Sequence, residues 1–339
     1  MSDFRISVVN IGGRDSNQFF SNGAGHPNDA GHSPVNYHAY AACSSGAFLQ
    51  DFKFTGQFEN FIFLIRSDLS KSLSNLKKLR KQKPNSKIAL MFKETGPYQL
   101  SSLFDNPKKC SVFRNLISLS NGILSPTPFT VPFYKNFTDK PVGFIPTPYP
   151  IQIKEWDFSV PFNQKTGIYL ATREFDVNWR MHVYSLGSLR KWIQSKNVKL
   201  TVVNQDGKSG EKWLGELGYT GSDLNIINGQ LSYSDHLKLL GKHRVIVNPD
   251  LGMVPGQIVG DSLLVKTPVV GGNSLLQDML YPELVTKSMD YDFIVEKLDR
   301  LYFDEIENGK IVGSAIEKAE LKLSFGVVCR ELETFFKRI

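Results

Sequence analysis

Residues Val245 to Gly272 read VIVNPDLGMVPGQIVGDSLLVKTPVVGG. The pattern predicts a strand over Val245–Asn248, a Pro/Gly-rich turn, a helix opening near Gly256, and a second strand over Thr267–Val270 that ends on Gly271-Gly272. Asp261 falls in the second turn of that helix, where its carboxylate can face the same space as the turn. A strand, a glycine turn and a helix in succession suit an anionic ligand, because a helix N-terminus offers unpaired N–H groups and a partial positive charge.

Upstream, the same alternation recurs. A strand is expected over Gly167–Ala171, then Thr172-Arg173-Glu174, then a helix over about Asn178–Lys196 with Val183, Leu186, Leu189 and Ile193 on one face. Next come a strand over Lys199–Asn204, a helix near Glu211–Leu217 and a strand over Leu224–Ile227. Ser232 can then cap a helix running to Leu240. Strands alternating with helices of this length build right-handed β-α-β units and a parallel sheet. Helical sequence closes the chain from about Val312 to Lys337.

The first half follows the same logic. Phe4–Asn10 is a strand candidate ending at Ile11-Gly12-Gly13, without the G-x-G-x-x-G spacing of a dinucleotide fingerprint. Arg14 to Pro34 is a long polar segment carrying His26, Asp29 and His32. A loop of that length after a first strand projects from the carboxyl edge of a sheet, where open α/β sheets bind ligands. Ser33 and Pro34 are expected to start a helix. Asn60–Arg66 and Lys87–Phe92 are strands, the latter delivering Lys93-Glu94-Thr95-Gly96 to the same edge. Asn121–Pro126 and Pro141–Pro146 are shorter strands, and Phe144–Pro150 reads as a Pro-rich hinge. Between Asp68 and Lys83, leucines at helical spacing share a helix with several lysines and arginines. That face reads first as solvated, with cations near a helix C-terminus, and second as a contact for phosphate or a membrane surface.

The chain has 339 residues, 41% hydrophobic and 22% charged, enough for two cores. No apolar run reaches the ~18–20 residues of a membrane span. No basic n-region and apolar h-region open the sequence, and the three cysteines (Cys43, Cys110, Cys329) form no C-x-x-C, so a cytoplasmic location is expected. The formal net charge of +7 favours anionic partners. The only D-x-D, Asp290-Tyr291-Asp292, stands at an expected helix start and reads as capping rather than metal binding.

Three pieces carry a family resemblance: GQLSYSDHLKLL (Gly229–Leu240), VIVNP (Val245–Pro249) and GQIVGDSLLVKTPVVGG (Gly256–Gly272). Together they resemble the C-terminal half of retaining, nucleotide-sugar-dependent glycosyltransferases of GT-B architecture. The resemblance implies two Rossmann-like parallel-sheet domains facing across a cleft, with a C-terminal helix crossing back. The implied domains are residues 1–160 on the acceptor side, 161–315 for the donor, and 316–339 for the returning helix.

It also implies roles. Arg173, with Arg180 as a second candidate, would contact the donor diphosphate. The backbone around Gly229–Leu231 would hold the base. Asp261, in place of the family's usual glutamate, would bond the ribose. The turn Gly252–Gln257, ending on Gly256 and Gln257, would bring backbone N–H groups to the diphosphate and sugar, and Gly12-Gly13 would close on the phosphates from the other domain. The family's first glutamate, eight positions before the second, would fall on Met253.

The expected activity is transfer of a sugar from a UDP- or GDP-sugar to an acceptor hydroxyl, without a metal or other cofactor. The acceptor could be a glycan, a lipid-linked molecule met at the membrane surface, or a modified DNA base. His26, Asp29, His32 and Glu94 are the candidates to take the acceptor proton. The competing readings are a two-domain sugar-nucleotide-binding protein without catalysis and a sugar-nucleotide epimerase of the same architecture.

Overall fold

The computed structural model describes residues 4–13, 15–29, 33–93, 95–171, 175, 177, 180–288 and 290–339. The chain divides into two compact units. Unit 1 comprises Met1–Ile153 and Leu321–Ile339, and unit 2 comprises Lys154–Glu320.

Unit 1 holds a seven-stranded sheet. Its elements are β1 (Ile6–Val9), β2 (Gln18–Phe19), α1 (Tyr37–Cys43), β3 (Ala47–Leu49), β4 (Asn60–Ile65), α2 (Leu69–Gln82), β5 (Lys87–Phe92), α3 (Pro97–Leu103), α4 (Pro107–Ser118), β6 (Gly122–Ser125), α5 (Val131–Lys135) and β7 (Val142–Phe144). The strand order is β2-β3-β1-β4-β5-β6-β7, parallel except for β2. Apolar side chains are buried on both faces of these strands, as a parallel sheet requires. Val9, Phe61, Phe63, Leu90 and Phe92 meet the leucines of α2 and the Phe113 side of α4. Val8, Ile62, Leu64 and Met91 meet α1 on the other face.

Unit 2 holds β8 (Ile168–Leu170), α6 (His182–Lys196), β9 (Leu200–Asn204), α7 (Lys208–Glu216), β10 (Leu224–Asn228), α8 (Tyr233–Leu240), β11 (Val245–Val247), α9 (Gln257–Val265), β12 (Val269–Val270), α10 (Leu275–Leu280) and α11 (Tyr291–Phe303). Its five strands are all parallel, in the order β10-β9-β8-β11-β12. In both units the chain walks outward one way from a central strand and then returns to its other side. The reversal lies between β1 and β4 in unit 1 and between β8 and β11 in unit 2. Those switch points are where doubly wound sheets leave a crevice.

Helical sequence at the C-terminus forms two helices, α12 (Glu305–Lys322) and α13 (Phe325–Arg338), rather than one. The chain breaks at Leu323-Ser324, where Tyr149 N–H donates to the Leu323 carbonyl at 2.8 Å. α13 belongs to unit 1 and buries Val328, Leu332, Phe335 and Phe336 against the α1 face of its sheet. Each such side chain contributes roughly 1.5–3 kcal/mol of burial.

Local differences from expectation have local causes. α1 starts at Tyr37 rather than at Ser33, because Asn36 takes a left-handed φ of 54° and Ser33 N–H instead donates to Gln18 Oε1. β2 and β3 were not anticipated, since neither is long enough to set up a period. Arg80 of the basic helix is pinned to the carbonyls of Pro84, Ser86 and Leu119 and to Asn121, and Lys83 pairs with Glu59 at 2.6 Å. Lys77, Lys78 and Lys81 are exposed. Among the described residues no helix is long and apolar enough to cross a membrane.

Candidate functional site

In unit 2 a cavity of about 380 Å³ opens at the switch point, beyond the carboxyl ends of β8 and β11. The predicted strand–turn–helix unit forms one wall. β11 delivers Asn248, the turn delivers Asp250 and Val254, and the start of α9 delivers Gly256, Gln257 and Ile258. The opposite wall comes from Val203 and Gln205 after β9, and from Gln230, Leu231, Tyr233 and His236 around the start of α8.

The helix start is the decisive feature. Gly256 is the N-cap of α9 at φ 95°, and no side chain caps the helix. A Cβ at this position would lie 2.7 Å from Ser274 Cβ and collide with Ser274 Oγ, so only glycine fits. Neighbouring helices are capped conventionally. Ser232 accepts from Asp235 N–H in α8, Ser274 from Gln277 N–H in α10, and Asp290 from Phe293 N–H in α11. The Asp290 cap agrees with the reading of the D-x-D as capping. Among the described residues no group of His, Cys, Asp or Glu could hold a metal ion.

Two carboxylates border the cavity. Asp261 is 1% exposed, accepts a 2.7 Å hydrogen bond from Tyr233 Oη on Oδ1, and has His236 Nε2 3.4 Å from Oδ2. Asp250 accepts from Gly252 N–H at 2.6 Å. Burial pushes the Asp250 carboxyl above the usual carboxylate range, against opposing effects of the Gly252 N–H and of Arg180. Met253, eight positions before Asp261, does not line the cavity, whereas Asp250, eleven before, does. The turn therefore places a carboxylate at the cavity three positions before Met253. The turn has a longer path, held by Leu275 N–H to Val254 O and Met253 N–H to Asn273 Oδ1.

Of the residues named from sequence, the cavity brings together Arg180, Leu231, Gly256, Gln257 and Asp261. Gly229, at φ 88°, makes the turn before Gln230 but does not line the cavity. Arg173, His32 and Glu94 lie outside the described residues.

Gly12 and Gly13 belong to unit 1, and their N–H groups already donate to the Gln50 and Asn10 carbonyls at 3.2 and 3.0 Å. His26 and Asp29, also in unit 1, form a turn of their own. His26 N–H donates to Asp29 Oδ2, and His26 Nδ1 accepts from Asn28 N–H. His236, Asp250 and Gln205 are cavity residues that the sequence did not single out. The available signals were a carboxylate just past the end of β11 and an imidazole one turn into a Ser-capped helix.

No protein-family model and no curated protein matches the sequence. The fold has clear counterparts among solved structures. A UDP-forming trehalose-phosphate synthase from Burkholderia xenovorans superposes with a TM-score of 0.65 at 11% identity, over 100% of this chain and 99% of that one. The chain has the GT-B fold. A structure of the E. coli trehalose-6-phosphate protein bound with UDP-2-fluoro glucose matches at TM-score 0.63 and 14% identity, over 85% and 75% of the two chains. The Burkholderia xenovorans enzyme in complex with glucose-6-phosphate matches at 0.59 and 11%, over 82% and 73%. Two Rossmann-like sheets and a terminal helix in unit 1 are thus the architecture expected from the sequence resemblance.

Proposed function

We propose that the protein is a glycosyltransferase that holds a nucleotide-diphosphate sugar in the unit 2 cavity and transfers the sugar to an acceptor hydroxyl. The observation that carries this reading is the uncapped start of α9 at a sheet switch point, with Arg180 beside it. In the reaction the bond between the sugar C1 and the diphosphate oxygen breaks, and its electron pair leaves with the diphosphate. The acceptor oxygen bonds to C1 and gives up its proton. N–H dipoles of the first α9 turn and the Arg180 guanidinium would stabilise the charge growing on the leaving group. Arg173 is a further candidate for that role on sequence grounds. The backbone at Gln230–Leu231, following the Gly229 turn, suits the base, and Asp250 suits the hydroxyls of the sugar.

UDP is the favoured nucleotide, since fold neighbours are UDP-forming or bound with UDP-2-fluoro glucose. The neighbour in complex with glucose-6-phosphate makes a sugar phosphate a natural first acceptor to try, beside glycans, lipid-linked acceptors and modified DNA. His26 is a poor base as it stands, because its Nδ1 lone pair is already engaged and Nε2 carries the proton. His32, Glu94 and Asp29 stay as candidates. We expect transfer to persist in a metal chelator, since Asp290 serves as a helix cap.

A thermal-shift panel of nucleotide sugars tests the donor assignment. UDP-sugars at ~100 times Kd should stabilise the protein by about 2.7 kcal/mol, and no response to any nucleotide sugar sinks the reading. Nucleotide release across the acceptor panel then tests catalysis. Binding without release would identify a binding protein, and release of free sugar without acceptor an epimerase.

A further inference from the structure

Asp261 is the carboxylate that the sequence resemblance assigns to the ribose, and it lines the cavity with almost no exposed surface. It is 1% exposed, whereas the imidazole of His236 is 22% exposed. Asp261 Oδ1 is engaged by the Tyr233 hydroxyl at 2.7 Å, and His236 Nε2 stands 3.4 Å from Oδ2. The His236 ring is further braced by Tyr169, edge-on at a centroid distance of 6.0 Å and an interplanar angle of 70°. With Nε2 turned to the carboxylate, Nδ1 has no hydrogen-bond partner among the described residues. A buried carboxylate within ion-pair distance of one ring nitrogen, with aromatic rings against the imidazole, favours a ring orientation that leaves the other nitrogen for a ligand.

The position along the cavity suggests what that nitrogen meets. Leu231 and Gln230 precede α8, and Gly256 to Ile258 open α9. His236 lies one turn into α8 and Asp261 one turn into α9, where the two helices pack. If the base sits at the first end and the diphosphate at the second, the ribose lies between them. A ribose hydroxyl can donate to Nδ1 of a neutral imidazole or accept from a charged one.

We propose that His236 reads the ribose hydroxyls of the bound nucleotide, and that Asp261 is a positioning residue that orients His236 rather than a direct ligand contact. The proposal rests on the cavity being the nucleotide site. It moves the ribose contact from a carboxylate on α9 to an imidazole on α8.

Calorimetric binding of UDP, 2′-deoxy-UDP and 3′-deoxy-UDP tests it. The wild-type protein should bind UDP roughly tenfold more tightly than the deoxy analogue lacking the hydroxyl that is read. In His236→Ala that ratio should fall to about one, with affinity for the deoxy analogue little changed. His236→Asn, whose amide can stand where Nδ1 was, should keep part of the ratio. His236→Gln, which replaces only the side facing Asp261, should lose it. Asp261→Asn should lower the ratio while leaving UDP binding measurable.

A wild-type ratio near one overturns the proposal. So does a full ratio in His236→Ala, which is what a purely structural histidine gives even if the melting temperature drops. Loss of the ratio in Asp261→Asn with its retention in His236→Ala returns the contact to the carboxylate. Absence of UDP binding by the wild-type protein overturns the donor reading itself, and this proposal with it.

Discussion

The two switch points of this molecule are built alike and finished differently. In unit 1 a cavity of about 170 Å³ lies beside β1 and β4, lined by Gly12, Arg66, Asp68 and Lys71, where α2 begins. In unit 2 the larger cavity lies beside β8 and β11, where α9 begins. α2 is capped by Asp68, whose side chain accepts from Lys71 N–H at 2.9 Å, and the Arg66 guanidinium donates to the Gly12 carbonyl. An acid already complements the positive end of that helix. α9 has a glycine in the left-handed region and no side chain to take that place. Topology alone marks both crevices as ligand sites. The cap residue separates them, since an aspartate caps α2 whereas no side chain caps α9.

The most direct way to break this contrast is Gly256→Ala. The added Cβ meets Ser274 and the backbone is held at φ 95°, so stability should fall by roughly 1–3 kcal/mol and the response to UDP should vanish. Chemical denaturation and thermal shift read the two effects, and an intact UDP response would remove α9 from the site.

Next in size, Arg180→Ala should weaken UDP binding by roughly 10–100-fold. Unchanged affinity in titration calorimetry would leave the helix N-terminus acting alone.

Asp250→Asn tests the electrostatics of the open site. Its folded-state pKa is raised, so between the ordinary carboxylate value and that raised value the folded state binds more protons than the unfolded one. Stability therefore falls as pH climbs through that window. The variant should lack this slope in urea melts compared at pH 4 and pH 7, be the more stable protein at pH 7, and transfer sugar more slowly.

The smallest effect belongs to α2. Asp68→Ala should lose about 1 kcal/mol of stability without changing UDP binding. Asp68→Gly sharpens the comparison further, because it makes α2 resemble α9. Inorganic phosphate should then raise its melting temperature more than that of the wild-type protein.

Much of this was legible along the chain. The strand over Val245–Asn248, the helix opening at Gly256, and the Ser232 cap followed by a helix to Leu240 are all found within a residue or two. Each depends on interactions between residues a few positions apart, which sequence reports directly. The α/β alternation gave the fold class for the same reason, since a parallel sheet needs a long crossover between its strands. The sequence could not give Asp250 its place at the cavity. Its carboxyl group reaches the wall because the turn from Asn248 to Gly256 is tied to Asn273 and Leu275, residues beyond the next strand.

Sequence by itself therefore determined the elements, their order, the two parallel sheets and the helix start at Gly256. Those follow from short-range periodicity and from the φ freedom of glycine. Only the tertiary structure decided which polar groups are already satisfied. It tied Gly12 and Gly13 to neighbouring carbonyls and closed His26 and Asp29 into a turn of their own. It also brought His236 and Asp261 together at the cavity wall. Hydrogen bonds between segments distant in the chain have no period to read, and they determine which polar groups remain for a ligand.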